Sequence, residues 1–304
     1  MVKLKIAIAS GKGGTGKTLL ATNLAWTLSE MGEKVHYIDC DVEEPNGHLF
    51  LKPKNNQEEV IHLLSPAGVD DDRCIKCGKC AEVCHYNAIA IVKDKVLFFK
   101  ELCHLCGACQ IVCPVDAIIE KERNIGTLRH GISGNIDFHD GLLATAEGGM
   151  SPRLIRKLKT SIGEGINILD SSPGTACPVV ETIKDADLCV LVTDPTPFGL
   201  HDLKLAVAMA RSLGKEPAIV VNRASYNNQD LKDYCRSQQL EIISEIPNDR
   251  KIAYSYSRGN LIIDELPEYK VLFKKLATRM IENIRFKREV KKPAEKEYFN
   301  KKMK

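Results

Sequence analysis

The residues Ser10-Gly11-Lys12-Gly13-Gly14-Thr15-Gly16-Lys17-Thr18 bring glycines, lysines and hydroxyls into one short stretch. Glycines without a Cβ let backbone N–H groups converge on phosphate oxygens, and a helix beginning behind them adds partial positive charge. Lys17 then reaches the β- and γ-phosphates of a nucleotide, and the Thr18 hydroxyl ligates Mg²⁺. Such a cradle must hang between a buried strand and a helix. The apolar run Ile6-Ala7-Ile8-Ala9 reads as that strand, and Leu20, Leu24, Leu28 and Met31 recur at helical spacing before Gly32 stops the helix. Gly11 to Thr18 is therefore read as a nucleotide site.

Eight of the cysteines carry a second chemistry. Cys74, Cys77, Cys80 and Cys84 are spaced C-x2-C-x2-C-x3-C, and Cys103, Cys106, Cys109 and Cys113 repeat the run, ending in Pro114. This is the spacing of bacterial two-cluster ferredoxins, in which the fourth cysteine of each run ligates the other cluster. Cys74, Cys77, Cys80 and Cys113 are thus expected to hold one [4Fe–4S] cluster, and Cys103, Cys106, Cys109 and Cys84 the second. Zinc ribbons use two pairs of ligands, not two runs of four. The first run ends in His85 where the second has proline, leaving open a histidine that tunes a cluster or one that is simply solvated. Cys40, Cys189 and Cys235 read as buried structural thiols.

The intervening elements alternate. Val35 to Ile38 reads as a second strand ending near Asp39 and Asp41, followed by a loop at Glu43-Glu44-Pro45-Asn46-Gly47. Ser65-Pro66-Ala67-Gly68 marks a boundary where composition changes. Ala88 to Val92 and Lys95 to Phe99 form a hairpin about Lys93-Asp94, and Gly126 to Phe138 another about Ser133-Gly134-Asn135. Pro152 to Leu158 opens a helix. Further buried strands are expected at Ile166 to Leu169, Leu188 to Val192, Ala218 to Val221 and Ile242 to Ile246, with a helix from about Leu200 to Leu213. Strands alternating with helices, with motifs after strand ends, predict an α/β doubly wound parallel sheet with a small α+β ferredoxin domain inserted.

The loop form Lys-Gly-Gly-Thr-Gly-Lys-Thr resembles the deviant phosphate loop of the MinD/Mrp/nitrogenase-iron-protein ATPases. The resemblance extends to Tyr37-Ile38-Asp39-Cys40-Asp41 and to Asn167-Ile168-Leu169-Asp170-Ser171-Ser172-Pro173-Gly174. The whole pattern is similar to MinD-superfamily P-loop ATPases with an inserted two-cluster ferredoxin domain, often labelled cobyrinic acid a,c-diamide synthase-like. That resemblance implies ATP as the nucleotide and a homodimer with ATP sandwiched, Lys12 crossing to the partner's nucleotide. It further implies Asp39 and Asp170 on the Mg²⁺ side, Asp41 orienting the attacking water and the Gly174 N–H sensing the γ-phosphate. Asn222 would read adenine, and the loop at Pro247 and Asp249 would lie against the base. It also puts Cys177 inside a second switch, either ligating metal between protomers or serving as a structural thiol.

The 304 residues allow one large α/β domain and a small one, divided as 1–65, 66–120, 121–284 and a basic tail 285–304. Composition is that of a globular protein, with 44% hydrophobic and 27% charged residues. With no membrane span and no signal-peptide core at the N-terminus, the expected compartment is the cytoplasm, and cysteines there point to metal. The tail has nine Lys/Arg against three Glu. Its apolar residues Val290, Phe299 and Met303 are too sparse for a membrane-binding face, and Pro293 interrupts it. Neither a nucleic-acid groove nor a membrane partner is expected. The function read from these features is ATP hydrolysis coupled to electron transfer or metallocofactor maturation, with a redox partner or an apo-metalloprotein as client. The alternative is a non-catalytic cluster carrier that uses ATP as a switch.

Overall fold

The computed structural model describes residues 3–145, 148–224 and 228–284. The basic tail lies outside the described residues. The strands are β1 (Lys3–Ala9), β2 (Val35–Asp39), β3 (Lys54–Val69), β4 (Ile89–Val92), β5 (Lys95–Phe98), β6 (Ile118–Ser133), β7 (Ile136–Leu143), β8 (Gly165–Asp170), β9 (Leu188–Thr193), β10 (Ala218–Ala224) and β11 (Ile242–Pro247). Nine of them form one sheet in the order β11-β10-β9-β1-β8-β2-β7-β6-β3, while β4 and β5 pair apart. From β11 to β7 every pairing is parallel. The Ser133-Gly134-Asn135 turn reverses the chain, Gly134 taking φ +58°, so β6 and then β3 join antiparallel. The expected parallel sheet thus carries a two-stranded antiparallel edge.

The helices are α1 (Lys17–Glu30), α2 (Gly47–Leu51), α3 (Lys79–Glu82), α4 (Ala108–Ile111), α5 (Ser151–Leu158), α6 (Cys177–Ile183), α7 (Pro197–Ser212), α8 (Gln229–Ser237), α9 (Arg250–Ser257) and α10 (Ile262–Glu265). Alternate residues of β1 supply the two faces of the sheet. Ile6 and Ile8 pack with Leu20, Leu24 and Leu28 of α1 and with Phe273 and Met280 near the C-terminal end. Ala7 and Ala9 pack with Leu154 of α5, Val179 of α6 and Leu203 of α7. Both faces are covered, so Ile6–Ala9 of β1, Leu188–Val192 of β9 and Ala218–Val221 of β10 are continuous apolar runs rather than alternating ones.

The β3/β6 ribbon positions the cysteines. Its pairing runs from Lys54↔Ile132 to Val69↔Ile118, whereas β7 pairs with β6 only as far as Gly126↔Leu143. Residues 62–69 and 118–125 therefore project beyond the C-terminal ends of β2 and β7, the sheet edge at which α1 begins. Residues 66–69 and 118–120, expected within the insertion, continue this ribbon instead. The cysteine-rich segment 70–117 sits at its tip.

That segment is an internal duplication in backbone as well as in sequence. Each cysteine recurs at a constant offset of 29 residues. Left-handed conformations recur at the same offset, at Lys76 and Leu105, Gly78 and Gly107, Asn87 and Asp116. So do the short helices α3 and α4, and the bonds donated by the Ala88 N–H to Cys84 Sγ and the Ala117 N–H to Cys113 Sγ, both 3.3 Å.

Candidate functional site

The phosphate loop joins β1 to α1 as its sequence requires. Gly14 and Gly16 adopt φ +73° and +99°, conformations that side chains rarely take. A Cβ on Gly16 would lie 2.2 Å from Asn222 Nδ2, and one on Gly11 would meet the Asp202 carbonyl. The loop is braced from behind: Asn222 Nδ2 donates to the Thr15 carbonyl at 2.7 Å, and the Ser10 hydroxyl to the Lys12 carbonyl at 2.6 Å. Gly13 has open space about it. Lys17 is 7% exposed, and burial pulls its ammonium pKa down against the nearby Asp170, Asp41 and Asp39 charges.

Three carboxylates meet this lysine because register brings them there. Asp39 ends β2 and lies opposite Asp170, the end of β8, with Asp41 just beyond. Asp39 Oδ1 accepts the Asp41 N–H at 3.1 Å, and its Oδ2 accepts the N–H groups of Asn46 (3.1 Å) and Gly47 (2.8 Å). The acid thereby ties down the loop that follows its strand. Burial, with the Asp170 charge second, pushes Asp39 well above the usual carboxylate range despite these donors. Asp170 is raised by burial too, opposed chiefly by Lys17. Its Oδ2 accepts the Tyr37 hydroxyl at 2.8 Å, while Oδ1 is buried without a hydrogen-bond partner, as is Thr15 Oγ1 in the phosphate loop. Burial and Asp170 push Asp41 up to about 6.

Other predicted positions have partners that sequence alone did not reveal. The Gly174 N–H donates to the Ser10 carbonyl at 3.0 Å, tying the segment after β8 to the phosphate loop. The Asn222 amide braces Thr15 and accepts from the Arg223 N–H. Pro247 ends β11. Asp249 caps α9, accepting the Lys251 N–H at 2.8 Å and the Tyr269 hydroxyl at 2.7 Å. Lys12 pairs within its own chain, 3.1 Å from the largely buried Asp194. Cys177 is exposed at the start of α6, whereas Cys40, Cys189 and Cys235 are buried. Tyr37 was missed as a site residue. Its signal was available, because in a strand residues two apart share a face and Tyr37 stands two before Asp39.

Eight of the cysteines lie round two cavities, four about each. Cys84, Cys103, Cys106 and Cys109 line one cavity, with Tyr86, His104 and Phe98. Cys74, Cys77, Cys80 and Cys113 line another, with Ile91, Val96 and Ile118. Both walls are largely apolar. Tyr86 stacks on His104 with centroids 3.7 Å apart. Burial pushes the Cys109 thiol up to about 11, while the Ala117 N–H lowers Cys113. Among the described residues no three His, Cys, Asp or Glu side chains are arranged to hold a single metal ion. No helix among them is long and apolar enough to cross a membrane.

Residues 6–262 match the family model of the CobQ/CobB/MinD/ParA nucleotide binding domain. An uncharacterised protein of Methanocaldococcus jannaschii is 32% identical over 84% of this chain and 89% of its own length. A protein of the same organism named iron-sulfur cluster carrier protein is 24% identical, covering 95% of this chain and 87% of the relative. Among solved structures, the septum site-determining protein MinD of Pyrococcus horikoshii, complexed with Mg-ADP, superposes with TM-score 0.58 at 20% identity. It covers 91% of this chain and 95% of its own, a likeness of fold. With strand, phosphate loop and opposed aspartates in place and the family model spanning most of the sequence, the chain belongs to the CobQ/CobB/MinD/ParA nucleotide-binding family.

Proposed function

We propose that this protein binds and hydrolyses ATP as a homodimer and couples its nucleotide state to two [4Fe–4S] clusters. The observation that carries this reading is the gathering of eight cysteines, four and four, round two cavities at the tip of the β3/β6 ribbon, which projects from the same side of the sheet as the phosphate loop. The donor sets suit the group. Four thiols spread about an apolar cavity match a polynuclear cluster, which separates its ligands more widely than one ion does. The nucleotide end fits as well, since Asp170 Oδ1 and Thr15 Oγ1 are buried polar atoms still needing partners.

In this reading the amides of Gly11 to Thr18 hold the phosphates and Lys17 offsets their charge. Thr18, Asp39 and Asp170 lie on the Mg²⁺ side. The metal, when bound, neutralises phosphate charge and orients it. Asp41 orients the attacking water, because phosphoryl transfer to water depends more on positioning and charge than on covalent help. Lys12 exchanges Asp194 for the partner protomer's nucleotide. Gly174 faces the γ-phosphate, and Asn222, Pro247 and Asp249 flank the base. The clusters serve electron transfer to a redox partner or maturation of a metallocofactor in an apo-metalloprotein. The relative named as a cluster carrier supports a second reading, in which ATP acts only as a switch and the protein delivers a cluster.

Anaerobic reconstitution followed by iron, sulfide and ATP-turnover assays tests both. About eight irons per chain with sulfide, and turnover that responds to dithionite, is the expected result. Two zinc ions and no sulfide would remove the cluster assignment. Cluster transfer to an apoprotein without ATP turnover would favour the carrier reading.

A further inference from the structure

The two cysteine cavities are equivalent in sequence and backbone but not in attachment. Both cavities are lined from the cysteine-rich segment and the ribbon beneath it, residues 66–109 in one and 69–118 in the other, and the difference lies in what packs behind them. The cavity of Cys84, Cys103, Cys106 and Cys109 is seated on the ATPase. Leu105 is 8% exposed and belongs to the same apolar cluster as Leu154 and Ile155 of α5, against which Cys103 also packs. Arg153 of α5 donates its Nε–H to the His104 carbonyl at 3.1 Å and a terminal N–H to the Leu105 carbonyl. Those carbonyls border a residue held at φ +51°. The duplicate of that residue, Lys76, has the same strained backbone at φ +55°, and it is exposed.

The helix that makes this clamp begins against the loop that follows β2. Ser151, the first residue of α5 and fully buried, donates its hydroxyl to Glu43 Oε1 at 2.7 Å. Glu43 stands two residues after Asp41, in the loop whose N–H groups Asp39 anchors. The connection therefore runs from Asp41 through Glu43, Ser151 and Arg153 to the segment bearing Cys103 and Cys106. It bypasses the ribbon.

We infer that Ser151 and Arg153 are positioning residues that make the Cys84/Cys103/Cys106/Cys109 cluster the nucleotide-responsive one, leaving the Cys74/Cys77/Cys80/Cys113 cluster as the outer exchange point for electrons. The inference rests on the function proposed above. When MgATP draws Asp41 and its loop to the phosphates, Glu43 shifts against Ser151, α5 moves, and Arg153 re-aims the carbonyls and amides beside the cluster sulfurs. Hydrogen bonds and dipoles near the sulfurs set a cluster's potential, so one cluster moves and the other does not.

The test is a potentiometric titration of the full, anaerobically reconstituted chain with dithionite, followed by electron paramagnetic resonance, with and without MgATP. One cluster should shift and its twin should stay. A tenfold change in ATP affinity between redox states corresponds to a shift of about 59 mV for a one-electron couple. Cys74→Ser should leave the shifting signal and Cys103→Ser should remove it. Arg153→Ala and Ser151→Ala should keep nucleotide affinity and lose the shift, with Arg153→Lys restoring part of it. Hydrogen exchange over residues 103–106 supplies a second readout, slowing or quickening with MgATP in the parent but not in Ser151→Ala. Equal shifts in both clusters, or a parental shift in both α5 variants, would overturn this assignment alone. A parent chain without iron or without bound MgATP would instead overturn the function on which it rests.

Discussion

At the scale of single residues, the site is an excess of buried acid over buried base. Asp39, Asp41 and Asp170 share the neighbourhood of Lys17, and all three carboxyl pKa values are raised, chiefly by burial. For Asp41 the folded-state value is about 6 against an ordinary 3.8. The folded chain therefore binds more protons than the unfolded chain between those values, and its stability falls as pH rises through that window. Asp41→Asn should flatten this slope, read as the urea midpoint against pH without nucleotide or Mg²⁺. A variant that keeps the parental slope would assign the titration to other groups. Lys17→Ala should lower ATP turnover at least about a hundredfold, since a charge facing the transferred phosphoryl group is lost. Turnover within a few-fold of the parent would exclude Lys17 from the chemistry. Asp41→Asn, by contrast, should retain ATP and fail to cleave it.

At the scale of elements, the ribbon and its junction with the sheet set the cysteines out beyond the strand ends on the side from which the phosphate loop leaves. Gly126 marks the point where β6 leaves β7. A Cβ there would lie 2.6 Å from both the Leu142 carbonyl oxygen and Leu154 Cδ2. Gly126→Ala should destabilise the fold by about 1–3 kcal/mol, read by denaturant titration, since backbone and a packed leucine must both give way. An unchanged midpoint would show the junction to be pliable. The central strands, α1 and the β4/β5 hairpin were all legible in sequence, because apolar runs and glycine placement are local signals. Residues 54–59 gave no strand signal. They are polar and lie on an edge strand whose outer side meets solvent, so no apolar alternation marks them. Likewise Asn222 against Thr15, Gly174 against Ser10 and Arg153 against Leu105 join segments far apart in the chain. Nothing in the residue types fixes which partner each one finds.

At the scale of the whole molecule, the state of Lys12 bears on assembly. Its ammonium lies 3.1 Å from Asp194, whose side chain is 6% exposed, while Lys12 itself is 29% exposed. To reach a nucleotide on a second protomer, Lys12 must leave that carboxylate, and the pair thus opposes dimerisation. Asp194 keeps the Thr196 hydroxyl and N–H as donors after Lys12 departs, so the carboxylate is not stranded. A partly exposed pair contributes about 1 kcal/mol or less. Two are broken per dimer, so Asp194→Asn should tighten the MgATP-dependent dimer by up to roughly thirtyfold. Lys12→Ala should weaken or abolish that dimer, because the attraction in trans goes with the pair in cis. Sedimentation with and without MgATP, in protein slowed by Asp41→Asn, separates the two effects from hydrolysis. Tighter association in Asp194→Asn and loss in Lys12→Ala is the expected pattern. If both variants dimerise like the parent, Lys12 serves its own chain only, and the sandwiched dimer needs another cation.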